Sequence, residues 1–375
     1  MTKAAELAKM GEVLTNSQIG GRRNIIINGA MQVAQRGTSI AVSSTLVYTL
    51  DRFAAENDTT TMTATQASDA PTGFEYSLKL TNGTGATATG THTNRLVTRL
   101  EGYDTNHLEI GTANAKKVTL SFHVKSSITG TYIVSFLDSG NDNGYPASYT
   151  INSANTWEKK TITLTMSDYG SWVGSTTNSA NLFIHWDLGS GPDRDLSNLN
   201  AWNDGAANDF SHSSQTEWVG TTGSTFYLTG VQLEVGEQAT PFEHRSFGEE
   251  LALCQRYCVA PSITAFEDSI SITGMTRGST NKFFTMPLPV TMRSGTPSVT
   301  ITGDVRLLNP EAHDKNDGAN TFTIGGVTPT FRYNGNMLGI YYNGAVTGVT
   351  DTSNADYNLQ IVGDSDHIFI IDSEL

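Results

Sequence analysis

The chain has 375 residues, 37% of them hydrophobic and 16% charged, and a formal net charge of −14. That mixture excludes global disorder, which couples low hydrophobicity to high charge density. The acidity excludes a nucleic-acid binder, which presents a basic face to phosphates, and disfavours an anionic membrane surface. With roughly 150 residues per domain, two or three domains are expected, each with enough apolar residues for a core. The 52 threonines and 33 serines suit strands with one wet face, because β-branched threonine packs well on a pleated surface. No stretch approaches the roughly 20 apolar residues of a membrane-spanning helix. Residues 1–10 lack the basic flank and apolar centre of a secretory signal, and 2 cysteines make no disulfide framework. Folding in a reducing cytosol is therefore expected.

In chain order, residues 4–14 read as a short amphipathic helix, with Leu7, Met10 and Leu14 on one stripe. So short a helix is unstable alone and needs a partner, copies of itself or a groove. Residues 15–21 read as a linker. Strand-like segments follow at 24–27, 53–65, 76–81, 95–100, 117–126, 132–138, 159–166, 181–187 and 225–233. In the fifth, Val118, Leu120, Phe122 and Val124 alternate with polar residues, the signature of a sheet with one face on a core. Turns rich in Gly, Asn and Asp separate the strands, as at 138–144. A second helix is predicted over 247–257, with Ser246 as N-cap and Glu249 completing a capping box. Strands resume at 269–273, 281–286, 298–302, 321–324, 330–333, 337–342, 357–361 and 367–371, with hairpin signals at Asn334-Gly335 and Asn343-Gly344. The expected architecture is all-β. It comprises an N-terminal helix and linker (1–21), a jelly-roll-like sandwich (22–245), a linking helix (246–260) and a C-terminal β domain (261–375).

Two passages carry a resemblance. One is NIIINGAMQVAQRGTS at 24–39, followed by Asp51, Arg52 and Phe53. The other is FYLTGVQLEVG at 226–236, running on through ATPFEHRSFGEELALCQRY at 239–257. With PLPVTMR at 287–293 and Pro297, the chain resembles tail-fibre and related structural proteins of tailed bacteriophages, particularly those of marine bacteria. The resemblance implies a homotrimeric tail fibre in the virion. Its N-terminal segment would dock on a tail adaptor or nozzle protein, and its β domains would attach to glycan on the host surface. A capsid-attached or tail-hub protein without receptor binding is the alternative, as is a glycan-degrading spike. Read physically, the same motifs are turns, strand ends and a helix start, with no nucleophile beside a base.

Glycan cleavage needs two carboxyl groups about 5 to 9 Å apart on a rigid groove. The candidates are Asp187, Asp193 and Asp195 beside Trp186, and Asp204 with Asp209 near Trp202. They crowd a Gly-, Asn- and Ser-rich stretch, where Asp commonly serves turns. The chain also lacks the repeat of a β-helix, so no catalytic residue is assigned and the chain is read as non-enzymatic. The 8 histidines are dispersed, and Cys254 and Cys258 read as buried thiols. No cofactor is assigned. Calcium is the one ion with clustered donors, at Asp138, Asn141, Asp142 and Asn143 and at Asp314, Asn316 and Asp317, though neither spells an EF-hand. For glycan binding, exposed aromatic faces beside polar groups are wanted. Trp202 and Trp218, near Trp172, are the candidates in the first domain, and Tyr333, Tyr341 and Tyr342 in the second.

Overall fold

The computed structural model describes Lys3 and residues 22–204, 208–261, 269–277, 281–301, 304–308, 321–323, 330–334, 336–343, 356–362 and 369–375. The expected helix at 4–14, the linker at 15–21 and the Asp314–Asp317 turn lie outside the described residues. The chain forms two compact units, one within residues 22–250 and one within 251–374 together with Gln35, Arg36 and Gly37. It is an all-β protein built from antiparallel sheets.

Among the described residues, the first unit is a sandwich of thirteen strands, named in chain order. They are β1 (Ser39–Val42), β2 (Val47–Tyr48), β3 (Phe53–Asn57), β4 (Met62–Ala67), β5 (Ser77–Asn82), β6 (Asn94–Glu101) and β7 (Lys117–Ser126). Then come β8 (Gly130–Asp138), β9 (Asn143–Ile151), β10 (Glu158–Thr165), β11 (Ala180–Asp187), β12 (Asn203–Asp204) and β13 (Thr225–Val235). One sheet has the order β1-β4-β5-β13-β7-β10 and the other β12-β9-β8-β11-β6-β3-β2. The chain crosses repeatedly between them, so β8 and β9 pair in one sheet while their flanking strands β7 and β10 pair in the other. Alternation decides what lies between the sheets. Val118, Leu120, Phe122 and Val124 point inward with Leu78, Leu80, Phe226 and Leu228, meeting Phe53, Phe136 and Trp186 of the second sheet. The Phe122 ring stands edge-on to both Trp186 (5.9 Å) and Tyr149 (5.2 Å). Each such ring removes a large apolar area from water and dominates the stability of its layer.

Two expectations for the start of this unit change. Residues 24–27 are not a strand. They run beside β13 as irregular chain, with Ile25 donating its N–H to Leu233 O (2.9 Å). The Asn24 side chain does the work of a ladder: Nδ2 donates to Val231 O (3.0 Å), and Oδ1 accepts the N–H of Ile26 (3.0 Å) and Leu233 (3.1 Å). The chain then stays outside the sheets through residue 34. Asn28 takes a left-handed φ of 59° and ties Val33 O and Asp51 O through its amide (both 2.9 Å). The predicted strand at 53–65 is two strands in different sheets. Asn57 Oδ1 accepts the N–H groups of Thr59 (3.1 Å) and Thr60 (2.9 Å), a side-chain turn that ends β3 and starts the crossing.

The motif residues stitch the two ends of the sandwich together. Glu243 accepts the N–H groups of Arg23 (2.6 Å) and Asn24 (2.9 Å), and Glu250 accepts that of Asn28 (2.5 Å). Arg245 donates to Ile26 O (3.1 Å) and pairs with Glu243 (3.2 Å) and Glu250 (3.3 Å). Helix α1 (Phe247–Gln255) starts as expected, with Ser246 Oγ accepting the Glu249 N–H at 3.3 Å. The reciprocal half of the box is not made, because the Glu249 carboxylate faces Arg22 at 3.4 Å.

In the second unit, the strands are β14 (Cys258–Val259), β15 (Ser269–Arg277), β16 (Asn281–Pro287), β17 (Ser298–Ile301) and β18 (Asp304–Leu308). They continue as β19 (Thr321–Thr323), β20 (Thr330–Asn334), β21 (Met337–Asn343), β22 (Asp356–Val362) and β23 (Phe369–Asp372). Among the described residues they form a sheet β14-β23-β17 and a seven-stranded sheet β19-β18-β22-β15-β16-β21-β20. The β20–β21 hairpin pairs Asn334 with Met337, in keeping with the Asn334-Gly335 signal. Arg36 joins this unit through Asp372 (2.8 Å) and Glu374 (3.3 Å). Cys254 and Cys258 are buried and outside any disulfide.

Candidate functional site

The outer faces of the two sheets of the sandwich differ. On the seven-stranded sheet, the segment after β11 lies across the strands: Ser135 Oγ is bonded to Phe210 O, and Phe210 is 1% exposed. His185 packs edge-on against Phe210 at 5.2 Å, and Arg95 lies over the same ring at 4.9 Å while pairing with Glu56 at 2.8 Å. Burial, with Arg95 and Arg99 nearby, pushes His185 well below the usual histidine range, so it is neutral.

The six-stranded sheet is covered only in part. Gly230, at φ 61°, sits in a bulge of β13 between Thr229 and Gln232. A Cβ there would come within 2.6 Å of Phe74, so glycine is what lets that ring settle on the sheet. Phe74 gathers His123 (5.2 Å), Phe242 (5.0 Å) and His244 (5.3 Å) into a cap over the middle of the face.

Beyond this cap the face is half-exposed. The register lines up Thr65, Lys79, Tyr227 and Lys125 on four neighbouring strands. Trp157, one residue before β10, stands next to Lys125 and meets Tyr227 edge-on at 6.0 Å. The Lys125 ammonium lies 4.1 Å from the Tyr227 ring centre and 5.2 Å from that of Trp157. Asp69 fastens the group, accepting the indole N–H of Trp157 at 3.1 Å and pairing with Lys125. That hydrogen bond to Lys125, reinforced by the one from Trp157, lowers the Asp69 carboxyl below the usual aspartate range against the opposing effect of burial. Trp157 is delivered by a rigid turn. Although burial raises its pKa, Glu158 is held down to about 2 by Lys160 and by the amides of Asn152 and Ser153, which it accepts at 2.8 and 2.9 Å. The next row along the sheet is Thr63, Thr81 and Thr225, all hydroxyl-bearing. A fixed aromatic corner, two ammonium groups and a line of hydroxyls can stack on a sugar ring and hydrogen-bond its edge.

No known family's sequence profile matches the chain, and no curated protein matches it. Among solved structures, the chain is similar to the enzymatically active domain of tailspike protein 4 of bacteriophage CBA120, with a TM-score of 0.30 and 13% identity. That match covers 56% of this chain and only 21% of the tailspike. A putative sugar-binding protein of Bacteroides thetaiotaomicron matches at a TM-score of 0.30 and 12% identity, over 57% of this chain and 100% of its own. A family 11 carbohydrate-binding module of Clostridium thermocellum matches at 0.26 and 10%, over 58% and 97%. Likenesses this loose carry no argument about what the chain does.

The residues singled out from the sequence are scattered. Trp218 is fully buried in the core of the sandwich and offers no face to a ligand. Trp202 is half-buried: its indole donates to Thr165 O at 2.9 Å, and its ring stands edge-on to Trp172 (5.7 Å) and Tyr145 (5.4 Å). Strand alternation separates the C-terminal tyrosines. The Tyr333 hydroxyl turns inward to accept the Met292 N–H at 2.5 Å. Tyr341 lies beside the exposed Phe283 at 6.3 Å, with Arg332 over its ring at 5.6 Å. The Tyr342 side chain lies outside what is described. Of the carboxylates, Asp187 is fully buried, raised by that burial, and accepts the N–H groups of Gly189 (3.1 Å) and Ser190 (3.0 Å). Both carboxylate oxygens of Asp138 take N–H donors, from Asp142 (2.8 Å), Asn143 (2.7 Å) and Val173 (3.0 Å), which builds the turn. Among the described residues, no three His, Cys, Asp or Glu side chains are grouped to hold a metal ion, and no helix is long and apolar enough to cross a membrane.

Trp157 and Tyr227 were not among the sequence candidates. The signal was there in part: with Phe226 and Leu228 facing the core, Tyr227 has to face out, and the same alternation turns Lys79 and Lys125 to that outer face. Their meeting depends on pairings between strands far apart in sequence.

Proposed function

We propose that this chain is a structural protein of a tailed-phage particle, a homotrimeric tail fibre that attaches to glycan on the host surface without cleaving it. The sequence motifs at 24–39 and 226–257 support the phage reading, and their residues act in the structure as stitches of the sandwich rather than as reactive groups. The observation that carries glycan binding is the open corner of Trp157, Tyr227 and Lys125, locked by Asp69. Rings held in advance cost little ordering entropy when a ligand arrives. Three shallow sites on one fibre would add avidity that no single contact supplies.

The test uses the full chain on immobilised host-surface glycan and on whole cells. Tyr227→Ala and Trp157→Ala are each expected to fold and to lose adsorption. Undiminished adsorption by both variants rejects the site. A solution mass equal to one chain rejects the multivalent fibre.

A further inference from the structure

The charges around Tyr227 are unequal. Lys125 is buried and answered by Asp69. Lys79, on the opposite side of the same ring at 5.5 Å, makes no ion pair or hydrogen bond among the described residues. Its neighbours in register are Thr65 and Tyr227, neither of them acidic. Lys159, exposed on β10 and paired in register with His123, adds a further ammonium on the same outer face. The acids nearby are already engaged: Asp69, whose charge Lys79 also feels, is bonded to Lys125 and Trp157. Glu158 is tied to Lys160 and the Asn152 turn, and the Glu75 carboxylate to the Tyr76 hydroxyl. In a chain of net charge −14, this end of the sheet is a local surplus of positive charge beside an aromatic face and a threonine row.

Resting on the glycan reading above, we infer that the face selects an anionic saccharide. A sugar ring packs on Tyr227 and Trp157, and the carboxylate or sulfate it carries meets the Lys79 ammonium. An ammonium held over a ring with no ion pair of its own keeps its donors for a charged partner. The threonine hydroxyls hydrogen-bond the ring edge. A nucleic acid offers the same negative charge, but the acidity of the rest of the surface repels a long polyanion.

The test is a panel of immobilised oligosaccharides probed with the full chain. Each uronate-bearing member is paired with its own methyl ester, and sulfated members with their desulfated forms. The expected result is binding of anionic members about tenfold or more above their neutral partners, as hydrogen bonds to charged groups require. The identity of the retained set tells carboxylate from sulfate. Lys79→Gln should erase the preference while Lys79→Arg keeps it. The indole N–H resonance of Trp157 should be unmoved in both, showing that the corner is intact. Equal binding of charged and neutral partners, or a preference that survives Lys79→Gln, overturns the inference and leaves glycan binding standing. Failure to bind any member rejects both.

Discussion

Both outer faces of the sandwich set cations over aromatic rings, and the two pairings meet different ends. On the seven-stranded sheet Arg95 lies over Phe210 of the crossing segment and Arg99 over Phe183 of β11, each at 4.9 Å. Lys79 and Lys125 flank Tyr227 on the six-stranded sheet, which the loop bearing Asp69 and Phe74 covers only in part. In the first case the chain itself has supplied the partner, since Phe210 belongs to the covering segment and Glu56 neutralises Arg95. In the second the cap stops at Phe74, and Lys79 has no ion pair of its own, sharing the influence of Asp69 with Lys125. The same chemistry is cement on one face and an offered surface on the other.

The sharpest way to break this contrast is to remove one ring from each face. Phe210→Ala should lower unfolding free energy by about 3 to 4 kcal/mol, read from the urea midpoint, because it empties a fully enclosed site. Tyr227→Ala, from a half-buried position, should cost about 1 kcal/mol and instead abolish glycan binding. Equal destabilisation by the two would mean that both faces are sealed. Next in size is Gly230→Ala. The left-handed φ of 61° and the clash with Phe74 predict a loss of about 1 to 3 kcal/mol, with the Phe74 and His244 ring resonances shifting in step.

Acid should act on the open face first. The folded-state pKa of Asp69 is depressed, so its hold on Lys125 and Trp157 is complete above the unfolded value of about 4 and is lost as pH falls through the folded value. The Trp157 indole resonance should therefore be constant from pH 7 to about pH 4 and move below it. Movement nearer neutrality would point to another group. The smallest effect is expected from Asp69→Asn: the carboxylate is solvent-exposed although Lys125 is not, and the pair is worth about 1 kcal/mol of stability. Its signature is a loosened Trp157 and weaker binding at unchanged thermal midpoint.

Much of the sandwich was legible because its strands alternate cleanly, as at 117–126, where the observed strand has the predicted bounds. The failures have particular causes. Strand β9 was hidden by Pro146 and by the glycine- and asparagine-rich turn before it. It is tolerated because β12 pairs with β9 only at Asn143 and Gly144, leaving the Pro146 edge free of a ladder. Residues 24–27 look like a strand, but the Asn24 side chain satisfies the backbone groups that a neighbouring strand would have met. The corner of Trp157 and Tyr227 was harder still. Asp69, Lys79, Lys125, Trp157 and Tyr227 come from segments spread over some 160 residues, and only the strand order brings them to one row. Trp218 shows the converse: tryptophan chemistry suits a recognition surface, yet burial is decided by packing that no local pattern reports.

The clamp that joins Arg23, Asn24 and Asn28 to Glu243, Arg245 and Glu250 has a mechanical corollary. The strand of chain entering the sandwich and the one leaving it are fastened to each other directly. Tension drawn along the polypeptide would pass from one to the other through those carboxylates and the guanidinium, bypassing the sheets. Under load this short seam would be strained first, and the outer face that carries Tyr227 and Trp157 would keep its shape.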